Sequence, residues 1–531
     1  MNMEHIKSDF LSNKNYFYTS VIITFLVLLP QIILIYSVKN FFNVFLLFIL
    51  LVALSKFSKL LFIIFALYFN LFNIFLLHIK MHWGGNTSAG YLTQKLELAR
   101  ISPKYETLEY LQAYIDYRDY LILGYAIFIL ILLYRFIMNH KQNYMILKKL
   151  GIVVAILAFL IVQSKGPLSI IKEFFQQSDR VQLIEKRNNY LSSINHTDIQ
   201  LSKQNIYDKV IIIQGESANK HHMNIYGYSQ KTTPYLSQLL ESKKLYKFNA
   251  ISPGNQTVYS VPCTFTMANV LDWKSNYIHS QSILADFQDY GYKTYWISSQ
   301  AIAGSVDSYV ANIAFEANQQ IFFNQGDATN AKTDIAIIDF LTDKKHSQAK
   351  EMYVFHLLGS HFSYKDRYPI SNSLFNKPKS ILEAYDNSIY FTDYIIERII
   401  KYFSKNNQKI LVVYISDHGE VVGVANDLRH GHGFLSPYKD EFDVPFVVYS
   451  NIENKRIDEF TSKNNRYFNL ENLNYYIKYI SGISNDLNIS YSSKIFTGTP
   501  NNIKDYGNLN FFQRKKKENT DNNGWWVKLK K

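Results

Sequence analysis

Cysteine is nearly absent: Cys263 is the single example in a chain of 531 residues. One thiol excludes an intramolecular disulfide and any Cys-rich zinc module, so neither can brace the fold. No internal repeat is visible, and low-complexity sequence is confined to Asn- and Lys-rich patches such as Arg514 to Asn523, which read as solvated loops. Disorder is excluded as a global description, because hydrophobic residues make up 48% and aromatics 16%, including 41 Tyr and 38 Phe. Acidic residues are in deficit. Lys and Arg number 56 against 43 Asp and Glu, a net charge of +13. That balance suits an anionic partner: nucleic acid, a phospholipid surface or a phosphorylated glycolipid. Charge alone does not choose among them.

The mean hydropathy of −0.11 averages two unlike parts. Apolar residues concentrate in the first third, where Tyr18 to Val38 and Leu60 to Leu77 are long enough to span a membrane. Pro30, Gln31, Asn70 and Asn73 interrupt them in ways a spanning helix tolerates. Phe41 to Leu54, Tyr120 to Met138 and Leu150 to Val162 are shorter or flanked by charge, and bring the expected number of spans to five. The basic residues alternate as five spans require. Lys7, Lys14, Lys56, Lys59, Arg135, Lys141, Lys148 and Lys149 fall on one side, and only Lys39 marks the remaining short loop. This puts the N-terminus in the cytoplasm and everything after about Gln163 outside it, which in a Gram-negative cell would be the periplasm. A cleaved signal peptide is disfavoured by the length of the first apolar segment and by the spans that follow.

The expected organisation is therefore an α-helical membrane domain over 1–165 with an outer loop at 80–118, an amphipathic bridging segment over 166–201, and a soluble domain over 202–531. The outer loop has helix-like stretches at Leu92 to Ile101 and Tyr105 to Tyr117. Ile170 to Leu191 suits an amphipathic helix at the membrane surface. After Ser202, short β-branched runs alternate with helical segments, the pattern of an α/β sheet. Val210 to Ile213, Thr294 to Ile297, Tyr353 to Leu358, Ile410 to Ile415 and Val444 to Tyr449 are the clearest strands. Ligands of open α/β sheets gather beyond the carboxyl ends of the strands. There the sequence places Gln214-Gly215-Glu216-Ser217, Gly359-Ser360-His361 and Ser416-Asp417-His418-Gly419-Glu420, with Arg429-His430-Gly431-His432 later in the chain. Asp, His and Glu together offer ligands that zinc accepts. Singly, each cluster also reads as a helix cap or a turn.

Four segments in order carry a resemblance: Ile213-Gln214-Gly215-Glu216-Ser217; Gln256-Thr257-Val258-Tyr259-Ser260-Val261-Pro262-Cys263; Gly359-Ser360-His361; and Ser416-Asp417-His418-Gly419-Glu420 with His430-Gly431. Tyr226-Gly227-Tyr228 and Thr232-Thr233-Pro234 match as well. Through them the chain resembles the lipopolysaccharide-modifying phosphoethanolamine transferases, with five N-terminal spans and a periplasmic catalytic domain of the alkaline phosphatase and sulfatase type. The resemblance implies an inner-membrane, multi-pass, monomeric enzyme that moves phosphoethanolamine from phosphatidylethanolamine to lipopolysaccharide, on lipid A or a core sugar, and releases diacylglycerol. No nucleic-acid partner is implied. Thr257 is then the nucleophile, Glu216, Thr257, Asp417 and His418 hold Zn2+, and His361 and His430 are the pocket histidines that bind phosphate or protonate a leaving group. A threonine hydroxyl is a weak nucleophile at neutral pH, and a divalent metal supplies the activation it needs. His432 has no assigned role.

The chain departs from the better-known lipid A members in two places. The position four before Thr257 is Pro253, so Cys263 has no half-cystine partner, and Ile297-Ser298-Ser299-Gln300-Ala301 offers no donor-pocket lysine. Thr93 and Glu97 have a spacing similar to donor-site residues, but such pairs are common on surface helices. A lipoteichoic-acid-synthase-like glycerol phosphate transferase is the enzymatic alternative, which Ser260-Val261-Pro262-Cys263 argues against. Cys263-Thr264-Phe265-Thr266 lacks the Cys-x-Pro-x-Arg context of an aldehyde-forming sulfatase. The non-catalytic alternative is a membrane-anchored pseudoenzyme that binds an anionic glycolipid.

Overall fold

The computed structural model describes residues 3–33, 38–83, 108–109, 115–139, 178–194, 206–301, 309–324, 332–422, 430–434, 437–463, 467–515 and 525–528. The chain divides into two compact units, 1–97 with 114–176 and 98–113 with 177–531.

The first unit is helical, with helices Met3–Ile33, Val38–Phe57, Lys59–Trp83 and Tyr117–Asn139. Three described stretches are long and apolar enough to cross a membrane: Asn15–Ile32, Lys59–His78 and Tyr117–Met138. The expected second span lies in the helix Val38–Phe57, whose apolar part, Val44–Ser55, is shorter. The expected fifth span lies outside the described residues, as does most of the 80–118 loop, including Thr93 and Glu97. Leu28, Leu51, Phe62, Phe69 and Ile129 form the interior. The polar residues that break the apolar runs bond between helices. Asn73 Nδ2 donates to the Val27 carbonyl at 2.6 Å, Asn70 Nδ2 to the Ala126 carbonyl at 3.0 Å, and Ser55 Oγ to Ser20 Oγ at 2.9 Å. In an apolar surround such groups are kept only where they find partners.

Among the described residues the second unit is built on a sheet of eight strands: β1 (Lys209–Gly215), β2 (Leu245–Ile251), β3 (Lys293–Ala301), β4 (Gln319–Asn324), β5 (Glu351–His356), β6 (Ile410–Ser416), β7 (Asp443–Ser450) and β8 (Phe468–Asn469). Their spatial order is β4-β3-β5-β1-β6-β7-β2-β8. The block β4-β3-β5-β1-β6 is parallel. Strand β7 runs antiparallel to both β6 and β2, so β2 points the same way as the parallel block. Central strands β1, β5 and β6 are buried along their whole length, which explains their continuous apolar runs. Helices cover both faces. Val210, Ile212, Trp296, Val354 and Val413 face one core, shared with the helix Thr257–Phe265. Ile211, Ile213, Tyr353, Phe355 and Tyr414 face the other, shared with the long helix Ile381–Phe403.

The five strands read from the sequence are all present. Strands β2 and β4 lacked a visible signal because each lies toward an edge of the sheet and is only half buried. The described part of the 166–201 bridge is the helix Ser178–Ser193, which belongs to the second unit. Its Leu183 and Ile184 join the larger core. Its buried Arg187 donates to the Tyr277 carbonyl at 3.0 Å and to Asn312 Oδ1 at 2.7 Å, and pairs with Glu316 at 2.5 Å.

Candidate active site

Register brings the chemistry to one edge. Gly215 pairs with Ser416 and Gln214 with His356, so the segments after β1, β5 and β6 leave the sheet side by side. The end of β2 leads into the loop that presents Thr257 as the first residue of the helix Thr257–Phe265.

Glu216, Asp417, His418 and Thr257 converge. Thr257 Oγ1 lies 3.2 Å from Glu216 Oε2 and 3.3 Å from His418 Nε2. His418 Nε2 is also 3.2 Å from Glu216 Oε1 and 3.4 Å from Asp417 Oδ2. The two carboxylates and the imidazole are all at most 1% exposed. His418 Nδ1 donates to the Gly419 carbonyl at 2.9 Å, which turns Nε2 toward the oxygens. Asp417 Oδ1 accepts the backbone N–H of His418 at 2.8 Å and of Ser217 at 3.2 Å. Its Oδ2 is buried and stands 3.4 Å from His418 Nε2.

The electrostatics show what the cluster needs. Burial, with the neighbouring Glu216 charge, pushes the Asp417 carboxyl up to about 8. Burial also works against ionised Glu216, but the facing His418 holds it well below the ordinary carboxylate range. Burial would lower His418, yet Asp417 and Glu216 lift it to about 10. Protons on these groups offset a concentration of negative charge that a divalent cation would satisfy. The donor set of two carboxylates, one imidazole and one hydroxyl fits zinc, and Glu216, Asp417 and His418 stand close enough to share an ion.

Backbone geometry fixes these side chains. Ser217 adopts a left-handed conformation, φ 56°, immediately after Glu216, a cost that clusters at functional sites. Its Oγ donates to Glu216 Oε1 at 2.8 Å. Gly359 has φ 54° and passes so close to Glu216 that a Cβ would lie 2.9 Å from its backbone N and O. Asp334 holds that loop by accepting the N–H groups of Leu358 and Gly359 at 2.8 and 2.9 Å.

Of the two histidines expected to bind phosphate, His361 donates Nδ1 to the Phe362 carbonyl at 2.8 Å and stands near Glu216 and Glu420. The His430 ring packs 5.2 Å from the Phe362 ring, and its neighbour Gly431 is bonded to Val421 in both directions. Arg429 lies outside the described residues. Sequence reasoning left His432 unplaced; its ring lies 3.8 Å from that of His418, and its Nδ1 stands 2.7 Å from Glu420 Oε2. Glu420 also accepts the Tyr364 hydroxyl at 2.5 Å. It was legible as the last residue of Ser416-Asp417-His418-Gly419-Glu420, but nothing in the sequence paired it with His432. Two further contacts went unforeseen, Gln300 on Glu216 and Asp334 on the 359 loop, because one comes from the end of β3 and the other from the residue ahead of the helix Ile335–Asp343, neither within a motif.

The sheet order gathers polar residues at the carboxyl edge of an α/β domain, where Glu216, Asp417 and His418 could hold a metal ion. The structure matches the integral membrane protein lipooligosaccharide phosphoethanolamine transferase A of Neisseria meningitidis with TM-score 0.56, covering 89% of this chain and 95% of that one at 17% identity, a likeness of fold alone. The periplasmic domain of Escherichia coli EptC in complex with Zn matches with TM-score 0.51 at 23% identity, over 57% of this chain and 93% of that one. Residues 208–475, half of the chain, match the Sulfatase family model, and the chain belongs to that family. Phosphoethanolamine transferase EptA of Helicobacter pylori is 31% identical over 259 residues, covering 46% of this chain and 47% of that protein. The chain spans about half the length of the curated relatives it matches.

Proposed function

We propose that this chain is a zinc-dependent phosphoethanolamine transferase of the bacterial inner membrane, with its catalytic unit in the periplasm. It takes phosphoethanolamine from phosphatidylethanolamine onto Thr257, with release of diacylglycerol, and passes it to lipopolysaccharide, on lipid A or a core sugar. The observation that carries the reading is the position of Thr257 Oγ1, within 3.3 Å of both Glu216 and His418, at the N-terminus of a helix. Relatives named phosphoethanolamine transferase and the Zn complex of the EptC domain support it.

Glu216, Thr257, Asp417 and His418 are the residues that would hold zinc. When bound, zinc supplies Lewis acidity toward the Thr257 hydroxyl and the phosphoryl oxygens. Thr257 releases its hydroxyl proton to solvent and attacks phosphorus, and the P–O bond to the glycerol oxygen breaks as the P–O bond to Thr257 forms. Backbone N–H groups at the start of the Thr257 helix favour the phosphoryl charge. His361 and His430 bind the phosphate and give a proton to the departing diacylglycerol oxygen. In the second half the acceptor hydroxyl or phosphate takes the group from Thr257, a ping-pong transfer.

The test is Thr257→Ala in purified full-length protein supplied with phosphatidylethanolamine. Diacylglycerol release should stop while the protein keeps its melting temperature. Undiminished release would reject Thr257 as the nucleophile. Mass spectrometry of lipopolysaccharide from cells with and without the gene identifies the acceptor.

A further inference from the structure

Glu216 is held by a side chain from outside the metal cluster. Gln300, near the end of β3, donates Nε2 to Glu216 Oε2 at 3.0 Å and to the Leu357 carbonyl at 3.0 Å. Its own backbone N–H donates to Ser298 Oγ at 3.0 Å, so both ends of the residue are fixed. Leu357 is tied in turn to β1, through its N–H to the Gln214 carbonyl at 2.9 Å. The oxygen that Gln300 grips is the one Thr257 Oγ1 approaches at 3.2 Å. The other oxygen, Oε1, takes the Ser217 hydroxyl at 2.8 Å and faces His418 Nε2 at 3.2 Å.

We propose that Gln300 is a positioning residue that sets the orientation of the Glu216 carboxylate for the cation and, through the shared Oε2, the direction of the Thr257 hydroxyl. The proposal rests on the zinc reading of the Glu216, Thr257, Asp417 and His418 cluster. A carboxylate ligand free to rotate offers one oxygen, both or neither; outer hydrogen bonds select one arrangement and raise metal affinity. A side-chain amide does this without a charge. An ammonium at the same place would neutralise Glu216 and oppose the incoming cation. The bond to Leu357 makes the donor rigid, because the amide that reaches Glu216 is also anchored to the strand end leading to Gly359 and His361.

The experiment is a Zn2+ titration of the full-length protein in detergent, after chelator treatment, in competition with a chromophoric chelator. Gln300→Met keeps the length of the side chain and removes the donor, and Gln300→Ala removes both. Both variants should raise the zinc dissociation constant by about ten- to a hundredfold, with the melting temperature of the chelated Gln300→Met protein unchanged. A packing role would instead leave Gln300→Met like wild type and place the loss on Gln300→Ala alone. Wild-type zinc affinity in Gln300→Met, or a loss that appears only together with a lowered melting temperature, would overturn the assignment. Absence of zinc binding by the wild-type protein would instead reject the metal centre itself.

Discussion

Gly359→Ala tests how closely the candidate centre depends on backbone fit. Gly359 has φ 54°, a region an L side chain enters at a cost of about 1–2 kcal/mol. The new Cβ would also stand 2.9 Å from the backbone N and O of Glu216, where ordinary contact begins at 3.4 Å. Both contacts are backbone atoms, so relief requires either the 359 loop or the end of β1 to retreat by roughly 0.5 Å. Asp334 resists the first by holding the Gly359 N–H, and pairing with β5 and β6 resists the second. A misplacement of 1 Å costs about a hundredfold in rate, so half of that should cost about tenfold. The expected result is a modestly lowered melting temperature, and about tenfold loss both in diacylglycerol release and in zinc affinity. Wild-type affinity and rate in a stably folded variant would show that Glu216 is not positioned through this approach.

The remaining predictions concern charge and burial. Asp417 and His418, with pKa values raised to about 8 and about 10, must lose protons when they take a cation. Zinc affinity should therefore climb by about ten- to a hundredfold per pH unit between pH 6 and 7.5, and a flat profile in a chelator-competition titration would refute this. In chelated protein the stability due to His418 is complete below its unfolded value near 6.5 and lost as pH rises through about 10. Melting temperature should accordingly fall on that alkaline side. Lys209 and Glu351 form a buried pair at 2.8 Å, and Glu351 also accepts the Tyr353 hydroxyl at 2.6 Å. Glu351→Ala leaves the buried ammonium its bond to the Ala349 carbonyl but removes the Glu351 counter-charge, and should destabilise the second unit by about 3–5 kcal/mol in denaturant unfolding; a loss below 1 kcal/mol would show that water reaches Lys209. Cys263 is fully buried, and burial raises its thiol well above the ordinary range. Iodoacetamide should leave native protein unlabelled and label it fully once denatured, whereas rapid native labelling would contradict the packing of the helix that carries it.

The parts legible in the sequence share a physical reason. Central strands are buried on both faces, so Val210 to Ile213 and Ile410 to Ile415 announce themselves as apolar runs, and the polar residues that end them mark the site. Leu245 to Ile251 alternates, carries Lys247 and Asn249, and has one β-branched residue, so it gave no such signal although it leads to Thr257. Asp334 and Gln300 were invisible for another reason: each acts on a loop brought near by sheet order, and order is not written locally. The helical unit shows the same contrast. Its apolar stretches are evident from composition, but the bonds of Asn70 and Asn73 that reconcile polar residues with that setting depend on which helices are neighbours.

The place of Arg187 decides where this protein can be cut. Expression of the second unit alone is the natural route to crystals and assays, and the compositional border near Ser202 invites truncation there. Such a fragment would lack Ser178–Ser193, leaving Asn312 and Glu316 without their guanidinium and uncovering the Tyr277 ring that Arg187 lies over at 4.9 Å. A fragment that keeps this packing should therefore begin ahead of Ser178.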